Sequence, residues 1–336
     1  LELGIWTFSG AWILVFGSFL DVGSWFLDLP PMVLIVPDKF KGTLTAGDAA
    51  EAIANGWSRR RPGDALDLLP MSDGGDGFGE VISRLLHAKV QCLEAIDAAH
   101  RPRKAHWWWE AESKTAVIET ANVIGLAMLP PGKFHPFELD TFGLGTLFRA
   151  AEKHAAKSCL VGIGGSATND GGFGLARSLG WEFLDRMGAP IERWTDLERL
   201  AMIRALQGRH WPKDLVVAVD VQNVLLGARG ATRVYGPQKG LRKQRDFELA
   251  ERCLRRLALV VKKSLGHDLA RETGTGAAGG LGFGLCAFLG AQLVPGFELF
   301  SRLAGLERRL RSADLVITGE GAIDNSTLMG KGVGQI

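Results

Sequence analysis

Residues 32–43 read MVLIVPDKFKGT. The first six carry no charge and do not alternate apolar with polar, as a strand with one wet face would. That pattern predicts a strand covered on both sides, the habit of parallel sheets whose crossovers are helices. The next stretch agrees. Over residues 45–61 the apolar Ala49, Ile53, Ala54 and Trp57 fall on one helical face, and Pro62-Gly63 ends the run. Residues 65–69 predict a second short strand and 78–86 a second helix.

The middle of the chain reads differently. Residues 90–96, 103–109 and 115–119 predict closely spaced strands with turn residues between them, hence an antiparallel or mixed sheet. Trp107, Trp108 and Trp109 leave two readings open, a platform on which bases stack or the alternating residues of a strand; no basic run surrounds them. Alternation then returns. A helix is expected over 143–156, strands at 158–163 and 181–184 around a helix at 173–179, and a buried strand at 215–219. A long helix over 247–265, another from 282 and a last strand at 314–318 follow. Strands alternating with helices define an α/β protein with a mainly parallel sheet. The different middle predicts a second domain inserted into the first or following it.

Composition narrows the function. The 336 residues suffice for two domains, and 46% apolar with 23% charged residues excludes wholesale disorder. Lys and Arg number 39 against 37 Asp and Glu, a net charge of +2. There is no broad basic field for nucleic acid, so small molecules are the expected partners. Four dispersed cysteines without a C-x-x-C pair argue against a disulfide framework or a cysteine zinc site and fit a reducing, cytoplasmic compartment. Glycine is the outlier, 44 of 336 residues against a usual ~7%. The glycines gather at 74–79, 162–174, 274–284 and 319–334, beside predicted strands, where they suit backbone brought close to a ligand.

Residues 1–31 stand apart. Their uncharged run reaches the lower limit for a membrane span, but its flanks hold acids where a signal peptide or anchor carries Lys or Arg. No membrane is expected, and because Met32 opens a clean strand, 1–31 are read as a non-native upstream segment outside the fold. The chain stops at Ile336 in a loop after the last strand, so the covering layer of the sheet is expected to lie beyond it.

Ligands of open α/β sheets bind beyond the carboxyl ends of the strands. Four predicted strands run into an acid there: Asp38, Asp73, Asp220 and Glu320. Each alone could be a turn former or helix cap, a role that suits Asp48 better; four together predict that at least two share a site. Lys39 and Lys41 put two compact cations beside Asp38, fit for a phosphate or carboxylate, or else part of a solvated loop. Asp73 and Asp76, framed by glycine, are oxygen ligands of the kind Mg²⁺ takes when phosphates supply the rest. The loop at 162–172, GIGGSATNDGG, joins a strand to a helix. Its successive N–H groups suit an anion, with Ser166 and Thr168 adding hydroxyls; a tight structural turn is the other reading. Gly162, Gly164 and Ala167 also match the dinucleotide fingerprint, a weak signal on its own. No G-x-x-x-x-G-K-[ST], H-x-x-x-H or G-x-S-x-G occurs, which excludes P-loop enzymes and removes the zinc- and serine-hydrolase signatures.

Six ordered blocks carry a resemblance: PDKFKGTLTA at 37–46, PMSDGGDGF at 70–78, GIGGSATNDGG at 162–172, DVQNVLLGARGATRVYGPQKG at 220–240, GTGAAGGLGFGL at 274–285 and DLVITGEGAIDNSTLMGK at 314–331. From Met32 onward the chain resembles the bacterial-type glycerate kinases of the first class. The resemblance implies ATP-dependent phosphorylation of D-glycerate, usually to 2-phosphoglycerate, with Mg²⁺. It also implies two α/β domains. A flavodoxin-like, doubly wound parallel sheet would come from 32–88 and 285–336, with a mixed-sheet domain, 89–284, inserted. Such proteins begin at the position of Met32 and continue past Ile336. Chemistry then suggests roles. Asp38 or Asp220 would be the base, and Lys39 and Lys41 would hold the substrate carboxylate and the transferring phosphoryl group. Asp73, Asp76 and Glu320 would serve Mg²⁺. Gly164, Gly165, Ser166, Thr168, Asn169 and Asp170 would cradle the triphosphate, with Lys239 as a further cation. Two other readings stay open: a truncated nucleotide-binding remnant without turnover, and an NAD-dependent oxidoreductase of a small hydroxy acid.

Overall fold

A computed structural model of the chain describes residues 2–8, 11–17, 30–40, 42–205, 212, 214–322 and 332–336. It divides into two compact units, one of residues 1–73, 80–85 and 297–336, the other of 74–79 and 86–296.

The first unit is built on strands β1 (Glu2–Phe8), β2 (Ala11–Gly17), β3 (Met32–Ile35), β4 (Ala65–Leu68) and β13 (Leu315–Glu320), in the order β1-β2-β13-β3-β4. β3 runs parallel to both β4 and β13. Its alternate residues face opposite ways, as a period of two requires. Val33 and Ile35 share a core with Ala50 and Ala54 of the helix Ala46–Arg60. Leu34 and Val36 share another with Phe297, Phe300 and Ala304 of the helix Gly296–Ala304. The uncharged run at 32–37 is therefore uncharged because helices cover both faces.

The segment set aside by the sequence reading joins this sheet. β1 and β2 form an antiparallel hairpin, and β2 pairs antiparallel with β13 from Leu315↔Gly17 to Glu320↔Trp12. A sheet edge offers N–H and C=O groups to an extended segment, and residues 11–17 supply one.

Thr45 caps the helix Ala46–Arg60. Its hydroxyl accepts from Asp48 N (3.1 Å) and Asp48 Oδ2 accepts from Thr45 N (3.3 Å). Asp48, expected as a cap, is thus the second half of a capping box. Thr45→Ala is expected to cost about 1 kcal/mol, read as a melting temperature lower by about 2–4 °C.

The second unit holds β5 (Lys89–Ile96), β6 (Pro102–Glu110), β7 (Thr115–Glu119), β8 (Ser158–Gly162), β9 (Glu182–Leu184), β10 (Met202–Arg204), β11 (Asp214–Val219) and β12 (Gln292–Pro295). The main sheet runs β12-β11-β8-β7-β6-β5. The first four are parallel neighbours and the last two are antiparallel, so the sheet is mixed. Ile118, Val161 and Val217 share a core with Leu254, Leu257 and Val261 of the helix Gln244–Leu265 and with Leu281 and Phe283 of the helix Ala277–Leu289.

Three strand assignments change. The strand expected at 181–184 leaves the main sheet and pairs as β9 with β10, and neither β10 nor β12 had a forecast because three or four residues carry little pattern. Since β12 pairs with β11, the second unit extends past residue 284 to Gly296. Trp107 and Trp108 are buried, which removes the base-stacking platform. No helix among the described residues is long and apolar enough to cross a membrane.

Candidate active site

In the first unit the parallel pairing of β3 with β13 brings their carboxyl ends to one edge. Asp38 N donates to Gly319 O (2.8 Å), which sets Asp38 beside the strand end that carries Glu320. Met71 N donates to Pro37 O (3.0 Å), drawing the segment that leads to Asp73 to the same edge. Lys39 Nζ is 3.1 Å from Asp73 Oδ1 in a partly buried ion pair, and Lys39 N donates to Asp38 Oδ1 (2.7 Å). Asp38 is 5% exposed. Burial, then the like charge of Asp73, pushes its carboxyl up to about 6, with Lys39 opposing and Glu320 adding. Two of the other strand-end acids, Asp73 and Glu320, thus act on Asp38.

Asp220 stands in the other unit, where β11 ends. Burial, joined by the charge of Asp220, raises the Tyr235 hydroxyl to about 12. Tyr235 Oη donates to Asn223 Oδ1 (2.5 Å). Lys41 lies outside the described residues.

The glycine loop after β8 is held by backbone contact with the 74–79 turn. Gly164 N donates to Gly74 O (3.2 Å), and a Cβ on Gly164 would overlap Gly75 Cα. Gly165, with φ at +73°, carries the Asp76 carboxylate against its open side. Only Gly164 and Gly165 reach the surface of this loop; Ser166 to Asp170 are buried. The side chains expected to face a ligand are turned inward instead. Ser166 Oγ bonds Thr168 Oγ1 (2.9 Å) and accepts from Thr168 N (3.1 Å). Asn169 Nδ2 donates to Thr232 Oγ1 (3.0 Å). Asp170 accepts from Thr141 N (2.9 Å), Thr141 Oγ1 (2.7 Å), Gly174 N (2.9 Å) and Gly172 N (3.2 Å). Burial raises its pKa, with Asp140 adding and the Gly174 and Thr141 bonds opposing. Lys239 Nζ donates to Thr168 O (2.6 Å), and burial lowers its pKa to about 7. Together these contacts shape the loop from within.

One acid escaped the sequence reading. Glu119 ends β7 and accepts from Gly77 N and Gly79 N, both at 2.9 Å. The strand-end rule applies to it as to Asp38, but 115–119 reads as part of an antiparallel or mixed region, where that rule carries little.

The dinucleotide fingerprint fails on geometry. Such a motif opens a helix at its third position, whereas the helix here, Phe173–Ser178, starts well after Ala167. For a metal, no group of three or more His, Cys, Asp or Glu among the described residues could hold an ion. Mg²⁺ asks less when phosphates accompany it, one or two carboxylates. Asp73 and Glu320 fit that need: they are hard oxygen donors, and both raise the pKa of the acid beside them. Asp76 belongs to the other unit.

Parallel strand ends bearing acids and a lysine in one unit, and glycine turns at the parallel part of the mixed sheet in the other, are features of an α/β enzyme. The chain matches the glycerate kinase family model over residues 33–336. It is 39% identical over 303 residues to a glycerate kinase of Halalkalibacterium halodurans, a match covering 89% of this chain and 79% of that protein. To glycerate 2-kinase of Escherichia coli it is 36% identical over 306 residues, with 89% and 79% covered. A solved structure assigned as glycerate kinase 2 from Salmonella typhimurium LT2 is similar at a TM-score of 0.79 and 36% identity, covering 90% of this chain and 82% of that one. The chain belongs to the glycerate kinase family.

Proposed function

We propose that the protein transfers the γ-phosphoryl group of ATP to D-glycerate in the presence of Mg²⁺, giving 2-phosphoglycerate and ADP, in the cytoplasm. The observation that carries this reading is the buried Asp38 carboxyl, pushed up to about 6 beside the Lys39–Asp73 pair. At neutral pH such a group is ionised yet more basic than an ordinary aspartate, which suits acceptance of the proton from an attacking hydroxyl. Asp220 is the alternative base. Lys39, with Lys41, supplies positive charge for the substrate carboxylate and for the phosphoryl oxygens, where charge grows in the transition state.

The surface backbone at Gly164 and Gly165 faces the polyphosphate. Ser166, Thr168, Asn169, Asp170 and Lys239 keep that backbone in shape without touching the nucleotide. Asp73 and Glu320 would hold Mg²⁺, and the ion would neutralise charge on the phosphate oxygens. The 2-position is supported by the name of the Escherichia coli relative, a glycerate 2-kinase.

The test is an ADP-coupled assay with D-glycerate, ATP and Mg²⁺, followed by phosphorus NMR of the product. The expected result is ADP release that needs all three, with a resonance of 2-phosphoglycerate. ATP binding without ADP release would favour a remnant that only binds nucleotide, and a 3-phosphoglycerate resonance would correct the regiochemistry.

A further inference from the structure

Glu119 is 9% exposed at the end of β7, in the parallel part of the second sheet. Its two carboxylate oxygens are divided between two backbone amides, Oε1 taking Gly77 N and Oε2 taking Gly79 N. N–H groups converging in a glycine turn form a concavity that binds anions. Here the chain supplies its own anion to fill it. Charge-assisted bonds of this kind are roughly twice as strong as neutral ones, so the turn is held at the two points where glycine leaves it softest.

The gripped turn has one neighbour that matters. Gly74 O accepts from Gly164 N, Gly75 lies directly against Gly164, and the Asp76 carboxylate lies over Gly165. Between Gly74 or Gly75 and Gly164 the contact is backbone on backbone, which resists sliding little; the side chains that cross to the glycine loop are Asp76 over Gly165 and Phe78 against Gly162. Glu119 grips Gly77 and Gly79, on either side of Phe78 and directly after Asp76. Glu119, Asp76 and Gly165 all lie within the second unit.

We infer that Glu119 is a positioning residue, which by filling the amide concavity of the 74–79 turn fixes Asp76 over Gly165 and aligns the two glycine segments for polyphosphate. The catalytic part of this inference rests on the kinase reading; the clamp itself rests only on the geometry of the unit.

Two variants test it. Glu119→Ala empties the concavity, and Glu119→Gln keeps the shape but replaces one acceptor with a donor. Assayed well below their melting temperatures, both should lose about 10²-fold in kcat, the scale of a small misplacement of reacting groups. KM for D-glycerate should stay within about twofold, because binding of that substrate is not what the clamp provides. Formate should re-enter the concavity of Glu119→Ala. It should raise the melting temperature of that variant more than that of the wild type and recover part of kcat, while chloride at equal ionic strength does neither. Wild-type kcat in Glu119→Gln would overturn the inference, as would a Glu119→Ala melting curve that formate and chloride shift equally. Should Glu119→Ala not fold, kcat of Glu119→Gln decides alone. If the wild type itself releases no ADP, the kinase reading fails, and the formate-dependent melting shift still decides the clamp.

Discussion

Replacing Asp38 with Asn is expected to lower ADP release by about 10²–10⁴-fold, the range a positioned general base contributes, and to make the metal-free protein harder to melt near pH 8. Both effects come from one burial. Asp38 is enclosed at the end of β3, and its carboxyl sits at about 6 against an ordinary 3.8. Between those values the folded protein binds more protons than the unfolded chain. Stability therefore falls as pH rises through that window, and the loss is complete above it. Asn carries no charge at any pH, and its carbonyl oxygen can still accept the Lys39 N–H that Asp38 takes now. The variant should gain on the order of 1–3 kcal/mol near pH 8, a few degrees of melting temperature, and nothing below about pH 4. Melting curves in EDTA across that range, paired with the ADP assay, give the answer. Full activity in Asp38→Asn would transfer the base to Asp220. Coincident melting curves at every pH would contradict the raised carboxyl.

The largest loss of stability is expected from Asp170→Ala. Asp170 is fully buried and takes hydrogen bonds from Thr141 N, Thr141 Oγ1, Gly172 N and Gly174 N. Alanine leaves three backbone amides in the interior without an acceptor, each at about 1–3 kcal/mol. Allowing for some relaxation of the loop, the expected loss is about 3–6 kcal/mol, or a melting temperature lower by about 10 °C or more. Below that temperature, ATP affinity should change only as far as the shape of the loop does. A variant that melts like the wild type while losing ATP binding would return Asp170 to the nucleotide, where the sequence reading put it.

These two residues mark how far local pattern reaches. The strand-end place of Asp38 was legible because a strand buried on both faces announces itself through an uncharged run, and the first charge after it falls at the carboxyl end of the strand; β4, which precedes Asp73, is partly exposed and carries Asp67, so its pattern is weaker. The same logic should have found Glu119. It did not, because whether 115–119 runs parallel to 158–162 depends on pairing across the sheet, which short strands do not advertise. Asp170 shows the opposite case. In sequence it looks like the polar residue of a phosphate loop, and nothing within eleven residues tells which way its carboxylate points. Residues 2–8 and 11–17 show the limit from another side: acidic flanks and the clean strand opening at Met32 read as foreignness to the fold, while the edge of β13 pairs with extended backbone.

What the amino-acid order settled, then, was the α/β class, the buried strand that opens at Met32, the family and the strand-end position of Asp38 and Glu320, since each depends on periodicity or on contiguous blocks. The inward turn of Ser166 to Asp170, the amide clamp of Glu119 and the raised carboxyl of Asp38 came from three dimensions. Each of them depends on which distant backbone donors or like charges arrive beside a buried group, and hydrogen bonds and desolvation act on neighbours in space.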